Sequence, residues 1–237
     1  MPPEAPSMQF LALAADYDGT LAKDGKVSPD VVKALKRVHA SGRKLILVTG
    51  RELPDLLAVF PEITLFESVV AENGALLYKP STREQKALGH KPSPAFIRAL
   101  QDHHIQPLSI GHVIVSTWQP HENIVLELIR EMGLELTLSF NKGAVMILPS
   151  GINKGIGLKA ALAELGLSRH NVVGVGDAEN DHAFLTLCGA AAAVGNAIPS
   201  LKEQADIVLE LTHGEGVIAL AVDLVSNDLV ALKDVTA

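Results

Sequence analysis

Two short acidic segments carry the residue types from which a catalytic site is made: Asp16-Tyr17-Asp18-Gly19-Thr20 and Gly176-Asp177-Ala178-Glu179-Asn180-Asp181. Each follows an apolar run, as do Thr49-Gly50-Arg51 and Glu72-Asn73-Gly74, while Lys154 opens a stretch of helical periodicity. Carboxylates, a hydroxyl, an amide and an amine in one place suit phosphoryl transfer, which is limited by charge repulsion and positioning more than by covalent difficulty. Asp16 would attack phosphorus to form an acyl phosphate, dividing one hard displacement into two easier ones. Asp18, two positions along, would act as general acid and base, protonating the leaving oxygen and then taking a proton from water. Acidic groups converging in this way repel one another, so a hard cation such as Mg²⁺ is expected among Asp16, Asp18, Asp177 and Asp181. Thr49, Gly50 and Lys154 would hold the transferring oxygens, and Asn180 would orient a phosphate oxygen or a metal-bound water. Arg51 would either contact substrate or tie a helix start to a carboxylate.

Such a set forms only if several strands end at the same edge, and the apolar runs have that arrangement. Strands are expected over residues 10–15, 45–48, 69–71, 172–175, 191–194 and 207–209, with helices over 28–41, 53–60 and 154–165 between them. Alternating β and α segments imply a parallel sheet, and ligands of such sheets bind beyond the carboxyl ends of the strands. The rhythm changes between about residues 80 and 149, where helices near 94–103 and 122–132 mix with strands near 112–117, 135–140 and 145–148. The expected architecture is therefore a doubly wound α/β core, residues 1–79 and 150–237, with an inserted α+β unit over 80–149.

Composition agrees with an aliphatic α/β protein: 48% of the 237 residues are hydrophobic and only 4% aromatic, as parallel strands covered on both faces require. Twenty Lys and Arg against 27 Asp and Glu give a net charge of -7, which argues against nucleic acid or an anionic membrane as partner. The lone Cys188 forms no internal disulfide and lies in an apolar stretch, so a cytoplasmic location is expected. Residues 1–9 contain three prolines and no basic stretch and do not read as a signal peptide. No charge-free run reaches about 18 apolar residues, so no spanning helix is expected.

Taken in order, these segments resemble the haloacid dehalogenase superfamily of phosphohydrolases, within it the Cof-type group that carries an insert before the lysine motif. Asp16-Tyr17-Asp18-Gly19-Thr20-Leu21 is similar to the first motif, Val48-Thr49-Gly50-Arg51 to the second, Asn153-Lys154-Gly155 to the third, and Gly176 through Asp181 to the fourth. Tyr17 stands where the family often has Leu or Met, and Ala178 where Gly is common. The resemblance implies a phosphatase of small phosphorylated metabolites, a sugar phosphate or a phosphoglycolate-like ester, acting as monomer or homodimer with the insert as a specificity cap. A phosphomutase is the nearest alternative, but the insert's cations, Arg83, Lys86, Lys91, Arg98, Arg130 and Lys142, form no cluster in sequence that would hold a second phosphate. A phosphoaspartate signalling receiver needs neither the insert nor Asp18.

No nucleotide-binding glycine pattern is present, and the histidines lack zinc-ligand partners at suitable spacing. His112 and His121 are the insert's candidate substrate contacts. Trp118 and Phe140 are expected in the insert's own core, and Ile124, Leu128 and Ile129 on the face of its second helix that packs on the sheet.

Overall fold

The computed structural model describes residues 8–230, so the proline-rich start judged above not to be a signal peptide lies largely outside the described residues. In chain order the strands are β1 (Ala12–Ala15), β2 (Ala22–Lys23), β3 (Lys26–Val27), β4 (Lys44–Val48), β5 (Ser68–Ala71), β6 (Leu76–Lys79) and β7 (Glu84–Ala87). They continue as β8 (Ser109–Ile110), β9 (Val115–Trp118), β10 (Leu136–Asn141), β11 (Ala144–Pro149), β12 (Val172–Gly176), β13 (Ala190–Ala193) and β14 (Ile207–Val208). The helices are α1 (Pro29–Ala40), α2 (Leu53–Val59), α3 (Pro94–Asp102), α4 (Glu122–Glu131), α5 (Lys154–Leu165), α6 (His182–Leu185), α7 (Pro199–Gln204) and α8 (His213–Asn227).

Among the described residues the large sheet has eight strands in the order β14-β13-β12-β1-β4-β5-β6-β7. From β14 through β5 every neighbouring pair is parallel, so β1 runs in the middle with β12 on one side and β4 on the other. The hairpin β6–β7 then extends the sheet antiparallel. This hairpin was not expected: β7 is exposed along its length and reads Glu-Gln-Lys-Ala, without the apolar alternation that marks a strand. The separate sheet of the insert consequently begins after residue 87, later than the change of rhythm at 80 suggested.

Helix formation follows from local chemistry. The Ser28 hydroxyl accepts the Val31 N–H at 3.3 Å and Pro29 occupies the first turn of α1, whose Val31, Ala34, Leu35 and Val38 are buried. In α5 the Asn153 side chain accepts the Ile156 N–H at 3.0 Å, and the helix closes on Gly166 with φ +65°. Gly157 on α5 sits so close to the sheet that a Cβ there would lie 2.3 Å from Val70 Cγ1 and 2.7 Å from Gly74 Cα. The missing side chain lets α5 lie against β5, which brings Lys154 at its first turn to the strand ends.

The insert holds the four-stranded antiparallel sheet β10-β11-β9-β8. Its faces alternate as a pleated strand requires. Val115 and Ile147 point to α3 and α4, joining Phe96, Leu100, Ile105, Val125, Leu128 and Ile129 in a small core. On the other face Met146 and Leu148 meet Val113, Ile114 and Ala75 of the large unit. In α4 the buried residues are Val125, Leu128 and Ile129, whereas Ile124 is exposed, so the apolar stripe is one position later at its start than the spacing predicts. Trp118 and Phe140 also depart from expectation: both are exposed, at 51% and 37%. Trp118 follows the inward Val115 and Thr117 on β9, and its parity turns it away from the helices.

Candidate active site

Asp16 follows β1, and its N–H is held by the Val175 carbonyl at 3.0 Å, so it starts the loop at the carboxyl edge of two adjacent central strands. Lys154 arrives from the first turn of α5, fully buried, and donates to Asp16 Oδ1 at 2.5 Å and to Asp181 Oδ1 at 2.6 Å. Asp181 Oδ2 accepts the N–H groups of Asp177 (2.8 Å) and Ala178 (3.0 Å), closing the turn after β12 and fixing the carboxylate. A Cβ on Gly176 would come within 2.6 Å of Asp181 Oδ2, so a glycine is needed for that close turn. Asp177 Oδ1 accepts the Thr20 hydroxyl at 3.1 Å, and its Oδ2 receives Asn196 Nδ2 at 3.3 Å and pairs with the ammonium of Lys142.

Oxygen atoms of Asp16, Asp177 and Asp181 lie within 4.8 Å of one another, all three residues buried. Burial first, then the charge of Asp181, pushes the Asp16 carboxyl well above the ordinary aspartate range, with Lys154 opposing the shift. Burial likewise raises Asp177, with Lys142 acting against it. Lys154 is raised despite burial because the Asp16 and Asp181 charges outweigh desolvation, so its ammonium stays charged. One buried cation, Lys154, and the half-exposed Lys142 face three buried carboxylates, which leaves this cluster short of positive charge, and its donors are all oxygen.

The remaining site residues fall into two groups. Asp18 is turned from the three carboxylates, and its two oxygens take Arg51 Nε at 2.6 Å and Nη2 at 2.7 Å. Arg51 also bonds Asp55 in the first turn of α2 at 2.5 Å and lies 5.1 Å over the Tyr17 ring, whose hydroxyl donates to the Gly25 carbonyl. Burial pushes the Tyr17 phenol up to about 12, so it acts as a neutral support under the guanidinium. Thr49 Oγ1 accepts the Arg51 N–H at 3.1 Å, and Gly50 is close to Asn180 Nδ2, a Cβ there falling 3.6 Å away. Asn180 Nδ2 donates to Asn73 Oδ1 at 3.0 Å, while the buried Asn180 Oδ1 and Asn73 Nδ2 have no partner among the described residues.

A cleft between the strand ends and the insert's sheet is lined by Asp16, Asp18, Thr49, Gly50, Lys142 and Trp118, among others. Glu72 joins the two walls: fully buried, it accepts the backbone N–H groups of His112 (2.7 Å), Val113 (2.7 Å) and Ile114 (3.0 Å). His112 thus contributes its backbone, and His121 bonds the Gln106 carbonyl; neither lines the cleft. Several cleft residues were not singled out from sequence, among them Asp24, Gly25 and His213. Asp24 and Gly25 form the tight turn of the β2–β3 flap, both at positive φ, and their Asp-Gly pair is a hairpin signal in itself. His213, at the start of α8, donates its N–H to Asn196 Oδ1 at 2.7 Å and leaves Nδ1 unpartnered.

The pattern of the family described as haloacid dehalogenase-like hydrolase matches residues 13–123 and 114–220. A phosphoglycolate phosphatase of Methanothermobacter thermautotrophicus is 32% identical over 216 residues, covering 87% of this chain and 95% of its own. A phosphoglycolate phosphatase of Saccharolobus solfataricus is 31% identical over 227 residues, covering 92% and 94%. In structure, a haloacid dehalogenase-like hydrolase from Bacteroides thetaiotaomicron aligns with a TM-score of 0.78 at 18% identity, covering 91% of this chain and 100% of that one. With three of the motif segments at the ends of the adjacent strands β12, β1 and β4, the fourth at the start of α5, and the family pattern spanning most of its length, the chain belongs to the haloacid dehalogenase-like hydrolases.

Proposed function

We propose that the chain is a Mg²⁺-dependent phosphatase of small phosphorylated metabolites, with a short phosphorylated acid of the phosphoglycolate type as its preferred substrate. The observation that carries this reading is the buried Lys154 bridging Asp16 and Asp181 beside Asp177, a charge arrangement that matches an anionic group and a hard cation together. Asp16, Asp177 and Asp181 would hold Mg²⁺, since an all-oxygen donor set with excess negative charge fits that ion. When bound, the cation offsets the charge of the phosphoryl group and polarises its oxygens.

Asp16 attacks phosphorus as the bond to the ester oxygen breaks, and Asp18 gives its proton to that oxygen. Water then attacks the acyl phosphate, Asp18 takes a proton from it, and the bond between phosphorus and the Asp16 oxygen breaks to free phosphate. Arg51 orients Asp18 for these transfers, and the contact has to open when Asp18 turns to the ester oxygen. Lys154, the Thr49 hydroxyl and the Gly50 N–H serve the transferring oxygens. The unpartnered Asn180 Oδ1 calls for a donor, which favours an ordered water over a phosphate oxygen as its contact. The unit between residues 88 and 149 acts as a cap that selects the organic part of the ester, while the large unit carries the chemistry. The preference for phosphoglycolate is supported by the two relatives of that name. A single, partly buried thiol and no need for a disulfide suit a reducing cytoplasm.

The test is a panel of phosphorylated metabolites, including phosphoglycolate and hexose phosphates, assayed for phosphate release with Mg²⁺, with EDTA and with Asp16→Asn. Release that needs both Mg²⁺ and Asp16 is the expected result. Isomerisation without phosphate release, or a long-lived phosphoenzyme without turnover, would overturn it.

A further inference from the structure

Of the six cations that the insert scatters through its sequence, only Lys142 lines the cleft. It sits at the tip of the β10–β11 hairpin, where Asn141 pairs with Ala144 and only Lys142 and Gly143 form the turn. Their φ values are +47° and +90°, the combination for which Asn-Gly or Gly-Gly is the unstrained choice. A lysine in this conformation is disfavoured by its own backbone, and such outliers collect where a side chain is needed at a particular point. The ammonium reaches across the cleft to Asp177, and the N–H of Lys142 is within 3.4 Å of Glu179 Oε2. Opposite, Gly19 at φ +87° leaves the room for it: a Cβ there would stand 2.7 Å from Lys142 Nζ.

The other cations near the reacting group are already committed. Lys154 is buried between Asp16 and Asp181, and Arg51 is taken by Asp18 and Asp55. The cleft wall otherwise carries Asp24 and Glu52 as further acidic groups, which would repel a second negative charge on a substrate. Asp177 has Thr20 and Asn196 as partners besides Lys142. Were the three carboxylates to hold a divalent cation, it would supply the charge Asp177 needs and leave the ammonium of Lys142, half-exposed and on a flexible stem, free for another anion.

We propose that Lys142 is the specificity-determining residue for substrates that carry a carboxylate one or two carbons from the phosphate ester. Its place beside Gly19 and Asp177 puts this positive charge next to the reacting phosphoryl group, so it recognises a short acid and not the distant end of a long one. This rests on the phosphatase reading above and deepens it by naming the residue that reads the substrate's second charge.

The test compares wild type, Lys142→Met and Lys142→Arg in Mg²⁺ on 2-phosphoglycolate and on ethyl phosphate, which lacks the carboxylate. The ratio of the two kcat/KM values should fall about 10- to 100-fold in Lys142→Met, as loss of a charge-assisted contact to the carboxylate implies, and should be largely kept in Lys142→Arg. Calorimetry supplies a second readout: wild type should bind 3-phosphonopropionate more tightly than propylphosphonate, and Lys142→Met should lose that preference. An unchanged ratio in Lys142→Met, or an equal fall on both esters, would overturn the assignment. A wild type that hydrolyses neither ester would contradict the phosphatase reading instead, and the calorimetric preference would then decide on Lys142 by itself.

Discussion

Lys154 is the residue on which the site's charge balance turns. Its ammonium is fully buried and holds two carboxylates, so Lys154→Met leaves both facing each other without a counter-ion. Breaking one partner of a buried ion pair typically costs about 3–5 kcal/mol, and thermal denaturation of Lys154→Met in EDTA should show a loss of that order. Asp16 has the opposite sign. Burial and its acidic neighbours penalise its charge in the folded state, so Asp16→Asn, which keeps an acceptor for Lys154, should melt no lower than wild type in EDTA while losing turnover. A clearly lower melting temperature would show that the carboxylate stabilises the fold. For Asp18 the expected loss is in rate: Asp18→Asn should lower kcat by about 10²- to 10⁴-fold on a substrate with a poor leaving group. At this scale the sequence was informative, because Asp16, Asp177, Asp181, Thr49 and Lys154 each stand at a strand end or helix start recognisable from an adjoining apolar pattern. What it could not give was pairing. That Asp18 faces Arg51 and not the other carboxylates depends on side-chain direction, which residue spacing does not encode.

At the scale of elements, the parallel strands and the helices α1 and α5 were legible from apolar runs and capping residues such as Ser28 and Asn153. The β6–β7 hairpin was not, since β7 has no buried side chain to mark it, and α8 went unread because its sequence is apolar on more than one face. The insert shows the same limit: its strands were found, but Trp118 was assigned to the core because size and aromaticity say nothing of which pleat a residue occupies. Glu72 is the element-scale contact with the largest consequence. It ties the turn after β5 to residues 112–114 through three backbone donors. Glu72→Ala strands these buried groups, at a cost of at least about 1–3 kcal/mol. Hydrogen exchange should therefore quicken at Val113 and Ile114 while β1 stays protected; unchanged exchange there would mean that the apolar contact with Ala75 alone seats the insert.

For the whole molecule, a sheet edge that gathers charge forms one wall of the cleft and the sheet of the inserted unit forms the other. No helix among the described residues is long and apolar enough to cross a membrane. Because the three carboxylates gather only in the folded chain, Mg²⁺ should raise its melting temperature, by about 2.7 kcal/mol of stability at a hundred times the dissociation constant, and Asp181→Asn should remove the response. The claim beneath all of this is that Asp16 itself carries the phosphoryl group during turnover. The most direct measurement is rapid mixing of enzyme, Mg²⁺ and phosphoglycolate, an acid quench, borohydride reduction and peptide mass spectrometry. The account expects homoserine at position 16, dependent on substrate and Mg²⁺; steady phosphate release with position 16 unmodified, or with the label on another residue, would contradict it.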